Sequence, residues 1–432
     1  MSDHTELENP RRAMGVIFAI VFIDLLGFGI LIPIIPLYAE HFGASAFVVG
    51  LLLASYSITQ FVFAPVLGRL SDERGRRPIL LLSLFGSVVA WTLFGLAGSL
   101  AVLFVARLVA GAMGGNIATA QAYIADVTSA EDRAKGLGLI GAAFGLGFVF
   151  GPALGGVFSS PGVVQFARDV LPAVVPVGQF SLPSFAAAAI SAINLVVAFA
   201  VLPETRRRRE PTERQGRVAQ LVDAITSPAL GGLIASFFLF SLAFSGMESM
   251  FVLFTKDAYG YGPAMNGYVL AYLGVVIAIV QGGLVGRLTK CYGEQRLAVT
   301  GVALELLTLA ALPFSPRLGA GLPTLDLSVV QIPGALLALL VVLTVLSVGN
   351  GLANVSLTTL VSKSAPDEEQ GGAFGLTQSA GSIARAIGPV LAGLLYSAIV
   401  FWLPFVLGGL LMLPILYVLF TAFRAEPTAA PA

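Results

Sequence analysis

The chain reads as an all-α integral membrane protein whose twelve transmembrane helices form two pseudo-symmetric six-helix bundles. Three observations predict this: an apolar composition, twelve stretches of spanning length, and a repeat relating the two halves. Of 432 residues, 57% are apolar and 11% charged, and the mean hydropathy is +0.90. Soluble domains carry about 25% charged residues, so there are too few charges here to cover a water-facing surface. A net charge of zero removes the electrostatic basis for binding nucleic acid. The single cysteine, Cys291, excludes an internal disulfide framework and a Cys-based zinc site. Two histidines, His4 and His41, are too few for a familiar metal cluster, and no cofactor is expected. The apolar stretch that starts at Ala13 is longer than a signal h-region, so no cleavable signal peptide is expected.

A spanning helix needs about 20 largely apolar residues. Such stretches fall near 13–38, 45–68, 78–98, 100–123, 136–158, 182–203, 230–254, 265–286, 297–315, 333–360, 372–397 and 401–423. They are spans 1 to 12 below, and they are too long for barrel strands. Lys and Arg set the orientation. With the N-terminus inside, the cytoplasmic side receives 19 of them, including Arg69, Arg74, Arg76, Arg77, the run Arg206 to Arg209, Arg287, Lys290 and Lys363. The outside keeps 3, Arg168, Lys256 and Arg317, while Arg107 and Arg385 lie within spans. Both termini are therefore expected in the cytoplasm, in the cell membrane. The longest polar stretch, 204–229, divides the spans six and six. It reads as a linker between an N-terminal bundle, 1–203, and a C-terminal bundle, 230–432.

Gly151-Pro152 recurs 237 residues on as Gly388-Pro389, and the same spacing carries Gly114 to Gly351, Gly138 to Gly375 and Gly156 to Gly393. The loop before span 3, LGRLSDERGRR, has a weaker echo in VGRLTKCYGEQR. Two parallel six-helix halves with a site between them at mid-membrane are a signature of secondary transport. No Ser/His/Asp set, nucleotide loop or metal cluster supports an enzyme.

The loop Gly68-Arg69-Leu70-Ser71-Asp72-Glu73-Arg74-Gly75-Arg76-Arg77 resembles the major facilitator signature G-x-L-x-D-x-x-G-R-[RK]. Leu26-Gly27 with Pro33 and Pro36 is similar to the span 1 pattern of twelve-helix drug:proton antiporters, and Arg107 with Gly111 to their span 4 pattern. Gly147, Gly151, Pro152, Gly155 and Gly156 match the antiporter motif G-x-x-x-G-P-x-x-G-G. The resemblance covers nearly the whole chain and is closest to the tetracycline efflux antiporters. It implies roles for Asp24, Arg107 and Glu305, which match their acid, arginine and acid in spans 1, 4 and 9. The span 3 aspartate and span 8 histidine of those proteins fall here at Ala90 and Ile277. The resemblance therefore supports the class of activity better than it supports tetracycline as substrate.

Proton-coupled export needs a carboxyl that holds a proton near neutral pH, which an aspartate in water, with a pKa near 3.9, does not. Asp24, about eleven residues into span 1, is deep enough for a low-dielectric setting, and an ionisable residue there is functional by default. Arg107 stays protonated and is expected to tune a nearby acid. Glu248, Glu305 and Arg385 are further buried charges expected to take part in coupling. Asp72 is expected at the start of span 11, near Gly371 and Gly372, with the loop arginines pairing to Asp126 and Glu131 as a cytoplasmic gate that also uses Gly68, Gly75, Arg76 and Arg77. The Gly-Pro pairs of spans 5 and 11 are expected to bend their helices. The candidate pocket lining is Phe28, Tyr56, Gln60, Asn116, Gln121, Phe237, Phe240, Tyr272, Gln281 and Asn350, aromatic faces with a few amides that suit a drug-like solute. The expected partners are such a solute, protons and the lipid bilayer, with the chain a monomer. A metabolite or sugar permease of the same fold and a transport-silent membrane sensor are the alternatives.

Overall fold

The computed structural model describes residues 10–128, 133–204, 228–326, 331–365 and 370–425. Twelve helices among them are long and apolar enough to cross a membrane. They are Ala13–His41, Ala46–Arg74, Arg76–Gly95, Leu100–Val127, Gly138–Phe158, Ser181–Val201, Leu230–Tyr259, Pro263–Tyr292, Glu294–Gly319, Gly334–Ser364, Gly375–Ala398 and Leu403–Thr421. These are spans 1 to 12 in the predicted order, several extended by one or two turns past the apolar stretch. Phe61, Val62, Phe85, Val105, Val196 and Phe199 are exposed on them, as expected where lipid rather than water is the solvent.

Several spans are broken where the sequence demands it. Span 1 is helical over Pro10–Leu31 and again over Ile35–His41. Pro33 sits in the turn between, where a ring replaces the N–H that would continue the ladder. Span 4 breaks at Gly114 and Gly115, between Leu100–Met113 and Asn116–Val127. Span 8 carries a π-helical turn at Val280–Leu284, over its Gly282-Gly283 pair. Pro152 and Pro389 instead lie inside the continuous helices Arg133–Phe158 and Gln370–Ala398.

Contacts sort the chain into two units. The first comprises Met1–Ala44, Ser55–Thr212 and Tyr261–Gly274; the second comprises Ser45–Ala54, Glu213–Gly260 and Val275–Ala432. In the first unit, spans 1 and 5 pack along small residues. A Cβ on Gly151 would lie 2.5 Å from Gly29 Cα, one on Gly147 would lie 2.8 Å from Leu25 Cβ, and one on Gly155 would enter the Ile30 carbonyl. Gly156 faces the start of span 8, with Ala264 O 2.8 Å from its would-be Cβ. Asn194 Nδ2 donates to Ile20 O at 2.9 Å, tying span 6 to span 1. Ile17, Ile20, Leu80, Leu84, Tyr123 and Ile124 fill the core near the 68–77 loop.

The second unit repeats this plan with spans 7 and 11. A Cβ on Gly388 would overlap Ser245 Oγ, and Ser245 donates that hydroxyl to Ala384 O at 3.1 Å. Gly393 faces Ala46, and Gly50 faces Pro389 O, at the start of span 2. Thus Gly156 and Gly393, related by the 237-residue repeat, each seat the start of another span.

Candidate functional site

In the first unit the charged and aromatic residues of spans 1 to 4 gather. Asp24 Oδ1 accepts a hydrogen bond from Ser87 Oγ of span 3 at 3.0 Å. One turn after Asp24, the Phe28 ring lies 5.4 Å from Tyr56, 6.4 Å from Trp91 and 6.5 Å from Phe148. Tyr56 in turn lies under the Arg107 guanidinium, with Cζ 4.7 Å from the ring centroid. Arg107 is buried, and a cation over an aromatic face gains most where water is excluded. Gly111, one turn beyond Arg107, has no room for a side chain beside Thr59 and Tyr56. The break in span 4 leaves the Gly114 carbonyl outside the regular ladder, and Gln60 Nε2 takes it at 2.9 Å while approaching Tyr56 Oη at 3.3 Å. Asp24, Phe28, Tyr56, Gln60 and Arg107 therefore belong to one neighbourhood. Ser87 and Trp91 join it without having been singled out in the sequence, although they lie one turn apart on the face of span 3 that meets Asp24. Gln121 is exposed and Tyr272 half-buried; the side chain of Asn116 lies outside the described residues.

The second unit holds two separate charged places. Glu248 of span 7, half-buried, interacts electrostatically with Arg385 of span 11. Arg385 Nη2 also donates to Ser382 Oγ at 3.1 Å, and Phe237 borders the same turn at Gly381. Glu305 of span 9 is fully buried, where span 9 closes on span 10 through Gly301 and Gly349. Asn350 is its polar neighbour, yet neither carboxyl oxygen nor Asn350 Nδ2 reaches hydrogen-bond geometry with a described group. Two residues expected in the lining are buried against protein. Phe240 is among the largest fully buried side chains and fills core. Asn350 is turned to Glu305 in the packing of spans 9 and 10. Gln281 is exposed within the π-helical turn of span 8.

The loop between spans 2 and 3 is built around Arg76. Gly75 adopts φ 107° and ψ 160°, a region essentially only glycine visits, and starts span 3 immediately after span 2 ends. Arg76 Nε binds Asp126 Oδ2 at 3.0 Å, and its Nη1 binds Asp72 Oδ1 at 2.7 Å and Ser71 Oγ at 2.8 Å. Glu204, the first acid of the linker, accepts the Arg76 backbone N–H at 2.9 Å, an anion at a helix N-terminus. Arg77 donates to Phe199 O at 2.7 Å and stacks on that ring at 5.2 Å. Asp126 is thus the partner the sequence indicated, while Glu131 lies outside the described residues. Asp72 has Arg76 as its partner, four residues along its own chain. A Cβ on Gly68 would meet nothing within 4 Å. Glu204 was not singled out, though an acid after Pro203 at the end of span 6 is a visible signal.

Twelve spans, two repeated halves and buried charges on facing helices define a polytopic transport protein. The comparisons with known proteins make the class specific. The family model described as Major Facilitator Superfamily matches residues 17–332 and 286–432, and the chain belongs to that family. It is 30% identical over 396 residues to the class C tetracycline resistance protein of Escherichia coli, covering 90% of each chain. To multidrug resistance protein 1 of Bacillus subtilis (strain 168) it is 28% identical over 391 residues, covering 90% of this chain and 91% of that one. Among solved structures, the human organic anion transporter MFSD10 (TETRAN) aligns with 95% of this chain and 99% of its own at TM-score 0.64 and 24% identity. A bacterial homologue of the lysosomal transporter Spinster aligns with 97% and 98% at TM-score 0.78 and 14% identity. These two share the fold.

Proposed function

We propose that this protein exports amphipathic, drug-like small molecules in exchange for protons by alternating access. It acts as a monomer in the cell membrane with both termini in the cytoplasm. The observation that carries the reading is Asp24, a carboxylate within span 1 that accepts from Ser87 one turn from the Phe28, Tyr56 and Trp91 rings. The relatives named for tetracycline and multidrug resistance support it, at 28–30% identity over about nine-tenths of the chain.

In this reading Asp24 takes up a proton from one side and yields it to the other. A solute on the neighbouring aromatic faces competes with the protonated state, because only a difference in affinity between two states moves their equilibrium. Arg107, fixed on Tyr56, supplies a permanent positive charge that favours the ionised carboxylate when the site empties. Glu248 with Arg385, and Glu305, are the further acids in the coupling path. The network of Arg76 with Asp72 and Asp126 acts as the cytoplasmic latch, with Asp72 reaching the start of span 11 when the latch is engaged. The Gly-Pro pairs of spans 5 and 11 flex as the halves rock.

The test is proton flux in proteoliposomes holding a pH-sensitive dye, with amphipathic solutes, including a tetracycline, added against an imposed pH gradient. Solute-triggered proton movement is expected, with a loss of at least about tenfold in Asp24→Asn and retained binding of the solute. Persistence of the flux in Asp24→Asn would move the carrier to Glu305 or Glu248. Uncoupled solute movement in the folded wild type would favour a metabolite permease instead.

A further inference from the structure

Residues 159–181 connect spans 5 and 6 on the side of the bundle opposite the 68–77 loop. They form a helix, Pro161–Val170, followed by a closed turn. Ser159 Oγ donates to Gln179 O at 2.9 Å, Arg168 Nε to Val177 O at 3.0 Å, and Gln165 Nε2 to Asp169 Oδ1 at 3.0 Å. The first of these bonds ties the two ends of the segment together, and the second ties the helix to the turn that follows it.

The helix has three sides. Val164 and Ala167 are buried against the bundle. Gln165, Arg168 and Asp169 form a polar side. Between the two lies an apolar flank that the protein leaves bare: Phe166 is 68% exposed, Val170, one turn on, 64%, and Val174 86%. At about 100° per residue Phe166 and Val170 fall within one arc adjoining the buried one, and Val174 follows in the turn after the helix. The apolar arc is therefore wider than the bundle covers.

We infer that this bare flank lies in the lipid, so that the Pro161–Val170 helix is an interfacial anchor seated at the boundary between headgroups and acyl chains. Two observations name the occupant. Span 5 ends at Phe158, so only Ser159 and Ser160 separate the helix from a stretch long and apolar enough to cross the membrane. An exposed apolar side of span 5 continues towards it through Phe150 and Val157. A short helix with one apolar and one polar face lies in the plane of the membrane–water interface. The inference rests on residence in a membrane and is independent of proton coupling.

The single native cysteine, Cys291, makes the test direct. In a Cys291→Ser background, spin labels are placed by Phe166→Cys, Val170→Cys, Val174→Cys and Gln165→Cys. The protein is reconstituted into phosphatidylcholine–phosphatidylglycerol vesicles. Collision rates with oxygen, which partitions into lipid, are compared with those of a water-soluble nickel chelate. Oxygen is expected to dominate at 166, 170 and 174 and the chelate at 165, a reversal of the ratio within one helical turn. Equal access of the chelate to 166, 170 and 165 would put the flank in water and overturn the inference. Dipolar broadening at 166 that vanishes on dilution with unlabelled protein would assign the flank to a second copy and overturn it equally. Should Phe166→Cys fail to fold, Val174→Cys reads the same flank from outside the helix.

Discussion

The turn before span 3 and the turn before span 9 are the same device with its charges reversed. Gly75 and Gly293 both have positive φ, 107° and 78°, with ψ near 160°, and each starts the following helix. The first helical residue is Arg76 in one and Glu294 in the other. Arg76 pairs with Asp126 at the end of span 4, and Glu294 pairs with Lys363 at the end of span 10, Nζ to Oε1 2.5 Å. Positions 126 and 363 are 237 residues apart, the spacing that also relates the two Gly-Pro pairs. The two turns themselves, Gly75-Arg76 and Gly293-Glu294, are 218 residues apart, and the second pair has the geometry of the first with opposite polarity. What differs is burial. The Arg76 and Asp126 side chains are 10% and 7% exposed, whereas Lys363 and Glu294 are 60% and 23% exposed. Arg76 also holds Ser71 and Asp72, and its backbone N–H is taken by Glu204. One pair is the centre of a network; the other is a surface contact.

The comparison can be broken at four points. Asp126→Ala takes from Arg76 its buried carboxylate partner and leaves it the more exposed Asp72; breaking a buried pair costs up to about 3–5 kcal/mol. Thermal unfolding in detergent should show the largest loss here, together with loss of transport. Gly75→Ala comes next. Its backbone region costs a non-glycine residue about 1–3 kcal/mol, and its new Cβ would lie 2.5 Å from Glu204 Oε2, breaking a helix-start contact worth about 1 kcal/mol. Gly293→Ala bears only the backbone cost, since a Cβ there meets nothing within 4 Å. The difference between the two glycine variants therefore isolates Glu204, and combining each with Glu204→Ala, which removes both the acceptor and the crowding atoms, should erase it. Lys363→Ala is the smallest, below about 1 kcal/mol for a solvent-screened pair, and the effect should fade in high salt. A loss in Lys363→Ala equal to that in Asp126→Ala would show that burial is not what separates the two turns.

The span count, the repeat and the Arg76–Asp126 pair could be read before any coordinates, because each has a local signal: a run of apolar letters, a Gly-Pro pair, charges bracketing a glycine. The facing of individual side chains could not. Phe240 was expected in the pocket lining and lies in the core, and Asn350 turns to Glu305. Spans 7 and 10 are apolar on nearly every side, so no stripe distinguishes a face toward lipid from one toward another helix. The breaks at Pro33 and at Gly114 and Gly115 had visible causes, yet only the fold gave the Gly114 carbonyl its partner, Gln60, 54 residues away.

By itself the sequence determined the solvent this protein lives in, the number of its helices and their family pattern. Those properties follow from residues close together in the chain. The tertiary structure alone decided that Ser87 meets Asp24, that Glu204 closes the start of span 3 from 128 residues away, and that one turn is buried while its repeat is exposed. In a bilayer the apolar surface needed to enter the membrane leaves helix pairing to close packing and a few polar contacts. Those contacts join residues far apart in sequence, so they exist only once the helices have chosen their neighbours.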